Sequence, residues 1–598
     1  MNWTQAFQRG EQHQLFRYLG AHTQDRGTTF NLWAPHATSV SVIGDFNNWA
    51  PDRNPLRKSP HNGIWQTFVP QAQVGQSYQF SVAGADGIVR TKADPMAFAS
   101  AKRPHTHSIL HRSTYRWQDK QWMTTRRSHA NTAMSIYEVH LGSWKKNGHD
   151  WKSYRELAAE LPDYVAKLGF THVEFMPLTE HPLDESWGYQ ALGYFSPTGR
   201  YGDPDDLKYL IDQLHQRHIG VILDWVPVHF PTDEYGLKDL DGTSLYESST
   251  MSEWSSHCFD LTRPEVCSFL LSSALFWLQE YHFDGLRVDA VTTFIEQDEA
   301  AAGCNRQFLQ KLNHTCRRLF PGVDIIAEDS SPSHDVTQRS QQPGNLGFDM
   351  RWDMGWMHDC LEYFSADDDA RQRLYHRLTF GMSYHYRENY IRALSHDEVV
   401  HGKSPLLYKM AGDNREEQFG NLRTLTALQW LMPGKKHTFM GNEIAAEREW
   451  DNHQELPWFL TCYREHSAQQ QLVKDLNLLY RHFSCLHADH LGWANFKWLI
   501  CDDVEGGQLA FCRQTPGEWL VVAANTRNCP TTLEIDLPEL FQNTAFSLVL
   551  DTTLEAKPTQ ILDRPHGNPS KTLTVSLNRY SVQVWCPKHL KANLVHLD

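Results

Sequence analysis

Between residues 27 and 105 apolar and polar positions alternate in short runs. TTFNLWAP, SVSVIGDF, GIWQTFVP and QSYQFSVAG carry the alternation, with Gly, Pro and Asn between them. A period of two is that of half-buried strands, so a small β-sandwich is predicted over residues 1–105. Residues 106–130 are basic, polar and weakly patterned, as expected of a linker. From Met134 apolar strand-like runs alternate with helical stretches, which is the signature of βαβ units. After about residue 490 short β runs return, among them EWLVVAANT and SVQVWCP. They predict a second all-β domain over 491–598.

Eight strand candidates lie in the central stretch, 131–490. They are SIYEVHL (135–141), HVEFMPL (172–178), GVILDWV (220–226), FDGLRVDAV (283–291), DIIAED (324–329), DMRWDM (349–354), RALSHDE (392–398) and HTFMGNE (437–443). Eight such strands predict an α/β chain with a (β/α)8 TIM barrel carrying inserted loops, flanked by the two β-sandwiches. Pro162 should kink the helical stretch that starts near Ser153. In DPDDLKYLIDQLHQRHIG, Asp203 is the expected N-cap, Pro204 fits the first turn and Gly220 the stop.

Composition narrows the class. The 598 residues carry a formal net charge of −15, which argues against a general nucleic-acid or acidic-membrane binder. No stretch approaches the ~18 apolar residues of a membrane span. MNWTQAFQRGEQHQLF lacks a signal-like apolar run. Eleven cysteines without a CxxC pair fit reduced thiols in a cytoplasm. The 21 Trp, 22 Tyr and 29 Phe supply rings suited to the apolar faces of carbohydrate, although most such rings are core.

Three carboxylates, Asp289, Glu328 and Asp397, end strand candidates four, five and seven. That rim of a (β/α)8 barrel is where active sites are built. A lone acid there is more readily a helix N-cap or a solvated loop acid; three at separate strand ends favour chemistry, and a carboxylate pair is what glycosidic bond cleavage requires. Arg287 shares a face with Asp289 and should lower its pKa; the alternative is a structural ion pair. Glu328 and Asp329 should point apart, with a desolvated Glu328 as proton donor. His396 precedes Asp397, and Asp224 and His229 recur at the third strand end. Tyr189 offers a stacking floor for a sugar. His215/His218 and His487/His490 stand three apart without a third ligand, so no metal site is expected, and no nucleotide-cofactor motif is present.

Together DWVPVHF, GLRVDAV, IIAEDS and LSHDEVVHGK resemble the four signature segments of the alpha-amylase superfamily, glycoside hydrolase family 13. SWGYQALGYFSPTGRYG, GFDMRWDMGWMHD and MGNEIAAEREW bring the match closest to its members that branch bacterial glycogen. LWAPHATSVSVIGDFNNW resembles a family 48 carbohydrate-binding module. The resemblance implies a retaining enzyme that cleaves an alpha-1,4-glucan and transfers the segment to a 6-hydroxyl, with glycogen or amylose as partner and no cofactor. It makes Asp289 the nucleophile, Glu328 the acid/base and Asp397 the transition-state stabiliser. Tyr189, Asp224, His229, Arg287 and His396 would line the sugar subsite, and Trp49 or Trp65 would hold glucan in the module; either ring is alternatively core. A monomer is expected.

Three departures stand out. Val228 occupies a position where the family usually has Gly. Loops before FDLTRPEV and after DAV are shorter than in relatives, and both flank the fourth strand. They leave two alternatives open: an alpha-glucan hydrolase or 4-alpha-glucanotransferase, and a weakly active glycogen-binding paralogue.

Overall fold

Eight parallel strands close into a barrel in a computed structural model of the chain. It describes all residues except 1, 130, 297–300, 540–543, 554–570 and 592–598. The barrel strands are β1 (Ser135–Val139), β2 (His172–Phe175), β3 (Gly220–Trp225), β4 (Gly285–Val288), β5 (Asp324–Ala327), β6 (Met350–Trp352), β7 (Tyr390–Leu394) and β8 (Lys435–Phe439). Each pairs with the next, and β8 returns to β1. All eight fall within the stretches predicted from apolar runs or, for β7 and β8, overlap them by a shift of two residues.

Register determines where the chemistry lies. Ile136, Ile222, Ile326, Trp352 and Ile391 belong to an apolar plug inside the barrel. Side chains two apart on a strand share a face. The next inward position after each of Ile136, Ile222 and Ile326 is therefore Glu138, Asp224 and Glu328. A polar layer thus sits directly above the plug, at the C-terminal ends of the strands. Alternate residues such as Val221, Leu223 and Trp225 pack in the main core instead.

Several local expectations changed. The helical stretch after Ser153 breaks into Tyr154–Ala158 and Leu161–Lys167, with Pro162 in the first turn of the second helix. Asp203 does stand at the N-cap of Pro204–His215, but its side chain makes no cap hydrogen bond. Gly220 is not the stop; it opens β3, where an added Cβ would lie 2.4 Å from the His172 ring. Residues 106–130 are more than a linker. They hold a strand, Ser108–Ile109, and a helix, Lys120–Thr125. This strap lies against the barrel: Tyr115 Oη donates to Asp212 at 2.6 Å and Trp122 Nε1 to Asp284 at 2.9 Å.

The N-terminal module has two antiparallel sheets, built around Gly27–Trp33 with Ile64–Val69 and around Ser39–Gly44 with Ser77–Ala83. It meets a loop beyond β3, where the Ala85 N–H donates to the Asp241 carbonyl and the His36 N–H to the Asp241 carboxylate. The C-terminal part has a five-stranded sheet centred on Glu518–Asn525 and a two-stranded one, with a core of their own.

Candidate active site

Arg287, on β4, is the hub. Its side chain is buried, with Nη1 2.7 Å from both Asp224 Oδ1 and Asp289 Oδ1, and Nη2 2.8 Å from Glu328 Oε2. One guanidinium thus gathers carboxylates from β3, the end of β4 and the end of β5. Its planar fork of donors suits this better than a lysine would. Glu328 Oε2 also accepts the Ala290 N–H at 2.8 Å. Ala290 has φ of 45°, the left-handed region that non-glycine residues rarely enter. The turn after Asp289 spends that strain to aim a backbone donor at Glu328.

Glu328 and Asp329 do diverge. Glu328 turns to Arg287, while Asp329 pairs with Arg351 of β6 at 2.6 Å. The strand itself ends at Ala327.

Electrostatics overturns one expectation. Burial raises the Asp289 pKa, Arg287 opposes that rise, and the Glu328 and Asp224 charges add to it; the net shift is upward. Burial likewise lifts Asp224 to about 7, against Arg287 and with Glu174. The sequence expectation weighed one arginine against one aspartate. Three carboxylates share that arginine, so its charge does not offset burial at Asp289 and Asp224.

Asp397 lies in a short turn, His396–Val399, beyond β7, with 42% of its side chain exposed. Burial opposes its ionisation, but His396, Arg287 and Lys403 outweigh it and lower its pKa. His396 Nε2 is 3.3 Å from Asp397 Oδ1, and its Nδ1 is 2.5 Å from Glu138 Oε1. Tyr189 joins the two halves of the site. Its hydroxyl donates to Asp224 Oδ2 at 2.5 Å and its ring stacks on His396 with centroids 5.5 Å apart.

His229 is buried and its Nδ1 faces Ser256 Oγ at 3.0 Å, which sets it beside this network rather than within it. Burial lowers its pKa to about 4. Trp254 lies over it, ring centroids 5.0 Å apart, at the tip of a hairpin formed by Glu247–Met251 and His257–Phe259. Val228 is fully buried in the main core. A groove of about 700 Å³ opens beside Val399 and is lined by Trp450, Trp458, Phe459, Lys146 and His149.

The two module tryptophans separate. Trp49 is 36% exposed, with Nε1 donating to Asp45 Oδ1 at 3.1 Å. Trp65 is buried and donates to the Ala34 carbonyl at 2.8 Å, so it is core and its candidacy for glucan contact is withdrawn. His215, one of the histidines spaced three apart, is buried between Asp119 and Asp284.

Sequence reasoning passed over Glu138, Glu174 and His437. They come from β1, β2 and β8 and bring one ligand-type atom each within 4.8 Å of the others. His437 Nε2 is 3.2 Å from Glu174 Oε1. No spacing motif links three separate strands. The available signal was weak: a glutamate within the apolar runs SIYEV and HVEF, while KKHTF is polar over most of its length.

Residues 18–97 match the family model for carbohydrate-binding module 48 (isoamylase N-terminal domain). Residues 159–258 match the alpha amylase catalytic domain. A 1,4-alpha-glucan branching enzyme GlgB from Thermobifida fusca is 46% identical over 535 residues, covering 85% of this chain and 71% of that one. Its counterpart from Marinobacter nauticus is 43% identical over 554 residues, covering 88% of each. A solved putative alpha amylase from Salmonella typhimurium superposes with a TM-score of 0.71 at 21% identity, covering 96% of this chain and 100% of that one. A pullulanase from Anoxybacillus complexed with maltotetraose does so at 0.74 and 18%, covering 95% and 87%. At those identities the two structures speak for the fold.

Proposed function

Because the chain belongs to the 1,4-alpha-glucan branching enzyme family, we propose that it cuts an alpha-1,4-glucan and rejoins the segment through an alpha-1,6 bond. The observation that carries the residue roles is the Arg287 fork. Carboxylate oxygens bound to the two adjacent terminal nitrogens of one guanidinium are near neighbours. That suits the ~5–5.5 Å separation of a retaining pair better than the ~6.5–9.5 Å an inverting enzyme leaves for water.

Glu328 is the acid/base. Its Oε2 already accepts from Ala290 and Arg287, which leaves Oε1 for proton exchange with the glycosidic oxygen. Arg287, 2.7 Å from Asp289 Oδ1, favours the ionised nucleophile against burial. Asp289 attacks the anomeric carbon as Glu328 protonates the leaving oxygen. A covalent glucosyl-enzyme forms, and Glu328 next removes the proton of an incoming 6-hydroxyl. Asp397, ionised and partly open to the cleft, offsets the positive charge that develops on the sugar ring. Tyr189 and His396 form one wall, stacked on each other.

Branching requires that the acceptor hydroxyl outcompete water, which is a matter of positioning. Trp254, exposed over His229 beyond the third strand, is the acceptor platform in this reading. The aromatic groove at Trp450 and Phe459 extends the glucan path away from Asp397. Trp49 is the module's contact with glycogen. Eleven cysteines outside disulfides, several buried, suit a reducing cytoplasm. All the proposed residues come from one chain, so a monomer suffices.

Amylose is the test substrate. Iodine colour should fall without a matching rise in reducing ends, and debranching the product should release new short chains. Stoichiometric reducing sugar with no new side chains would overturn branching.

A further inference from the structure

Glu138 ends the inward row of β1, directly below His396, and has no solvent exposure. It makes two contacts with that residue. Oε1 lies 2.5 Å from His396 Nδ1, and Oε2 accepts the His396 backbone N–H at 3.0 Å. The other ring nitrogen, Nε2, faces Asp397 Oδ1 at 3.3 Å. Both ring nitrogens therefore look at carboxylate oxygens, which only accept. A neutral imidazole would present a lone pair to one of them.

We propose that Glu138 is a positioning residue that holds His396 as a doubly protonated imidazolium, with one N–H aimed at Asp397, and fixes the turn carrying both. The inference rests on the reading of Asp397 as the charge-stabilising carboxylate. The groups around His396 are Glu138 from β1, Asp397 on its own turn, Arg287 from β4, Tyr189 stacked on its face, His140 beyond β1, and His437 of β8 at 3.9 Å from Glu138 Oε2. Burial and Arg287 disfavour the charged ring, but Asp397 and Glu138 prevail and raise its pKa to about 9. Two anions thus bracket one cation at the edge of the sugar site. The arrangement is rigid because the one Glu138 side chain holds both the ring and the backbone of the turn.

Glu138→Gln keeps the shape and removes the charge. His396 would then lose its proton at lower pH, so the alkaline limb of kcat/KM for amylose should move down by about one unit. The kcat should fall by about 10- to 100-fold with KM nearly unchanged. Glu138→Asp keeps the charge but shortens the reach; its kcat should fall while the alkaline limb stays in place. A folded Glu138→Gln enzyme with the wild-type alkaline limb would overturn the proposal. Should that variant not fold, nitrogen-15 histidine spectra of the wild type decide, with His396→Gln to assign the signal. Two protonated ring nitrogens at pH 7.5 support the proposal, and a neutral ring overturns it. Asp289→Asn, run alongside, separates the two failures: if it stays active, the reading of the site falls as well.

Discussion

At the N-terminal end of the barrel His215 lies between Asp119 at 2.9 Å and Asp284 at 3.0 Å. Asp284 also accepts from Trp122 Nε1, the Val221 N–H and Arg126. At the C-terminal end Asp224, Asp289 and Glu328 share one guanidinium, that of Arg287, with Tyr189 also donating to Asp224 and the Ala290 N–H to Glu328. Both clusters are buried, yet they titrate in opposite directions. Burial works against Asp284 and Asp119, but His215 and its companions outweigh it; Asp284 falls well below the usual carboxylate range and Asp119 to about 2. Burial wins at Asp289 and Asp224, which rise. The difference lies in cations per carboxylate: His215, His282 and Arg126 stand against Asp119 and Asp284, whereas Arg287 stands against three acids. A carboxylate matched by cations is a structural brace; carboxylates that share one cation strain against one another.

Asp289→Asn should break the comparison most sharply. Turnover should drop on the order of 10⁴-fold or more, since no other group can form the covalent intermediate. Stability should hold or rise, because an amide removes one of three crowded charges. Activity on amylose and the thermal midpoint check the two halves. Near-wild-type turnover would remove the nucleophile role, and a large fall in midpoint would remove the claim of competing charges.

Asp119→Asn should do the reverse. It leaves His215 and His282 without a shared anion, and breaking a buried pair costs about 3–5 kcal/mol. The kcat should stay within a factor of about two, as the site lies at the other end of the barrel. The pH profile gives a second reading. Burial lowers the His215 pKa, but Asp284 and Asp119 raise it to about 9. A raised histidine stabilises fully below its unfolded pKa near 6.5 and loses that stabilisation as pH rises through about 9, worth about 3 kcal/mol in all. Unfolding midpoints taken from pH 6 to 10 should therefore fall in the wild type and fall less in Asp119→Asn. Equal slopes would deny His215 its part in the brace.

How much of this was legible in the sequence depends on range. The eight strands were, because each is an apolar run that depends only on its own residues. The row of carboxylates at the rim was, because strand ends are local and the signature segments are dense. The polar brace was not: Asp119 sits in a stretch that reads as a linker, and its partners lie 96 and 163 residues away. The sign of the Asp289 shift was missed for the same reason. Arg287 is two positions from Asp289, whereas Asp224 and Glu328 enter only once the barrel closes. Trp65 and Trp49 look alike as residues; only packing separates a core ring from an exposed one.

Trp254 tests whether function at the rim can be separated from charge altogether. Its ring is 43% exposed and leans on His229. An exposed aromatic face contributes little to stability, so Trp254→Ala should leave the thermal midpoint within a degree or two. If the ring holds the acceptor glucan, its loss removes a stacking contact worth about 0.5–1.5 kcal/mol. The branching-to-hydrolysis ratio should then fall about 2- to 10-fold, while the rate of alpha-1,4 cleavage, set by Asp289 and Glu328, changes less. Counting new side chains against reducing ends in one digest measures that ratio directly. A fall in both products together would place Trp254 on the donor side, and no change in either would leave it a surface ring.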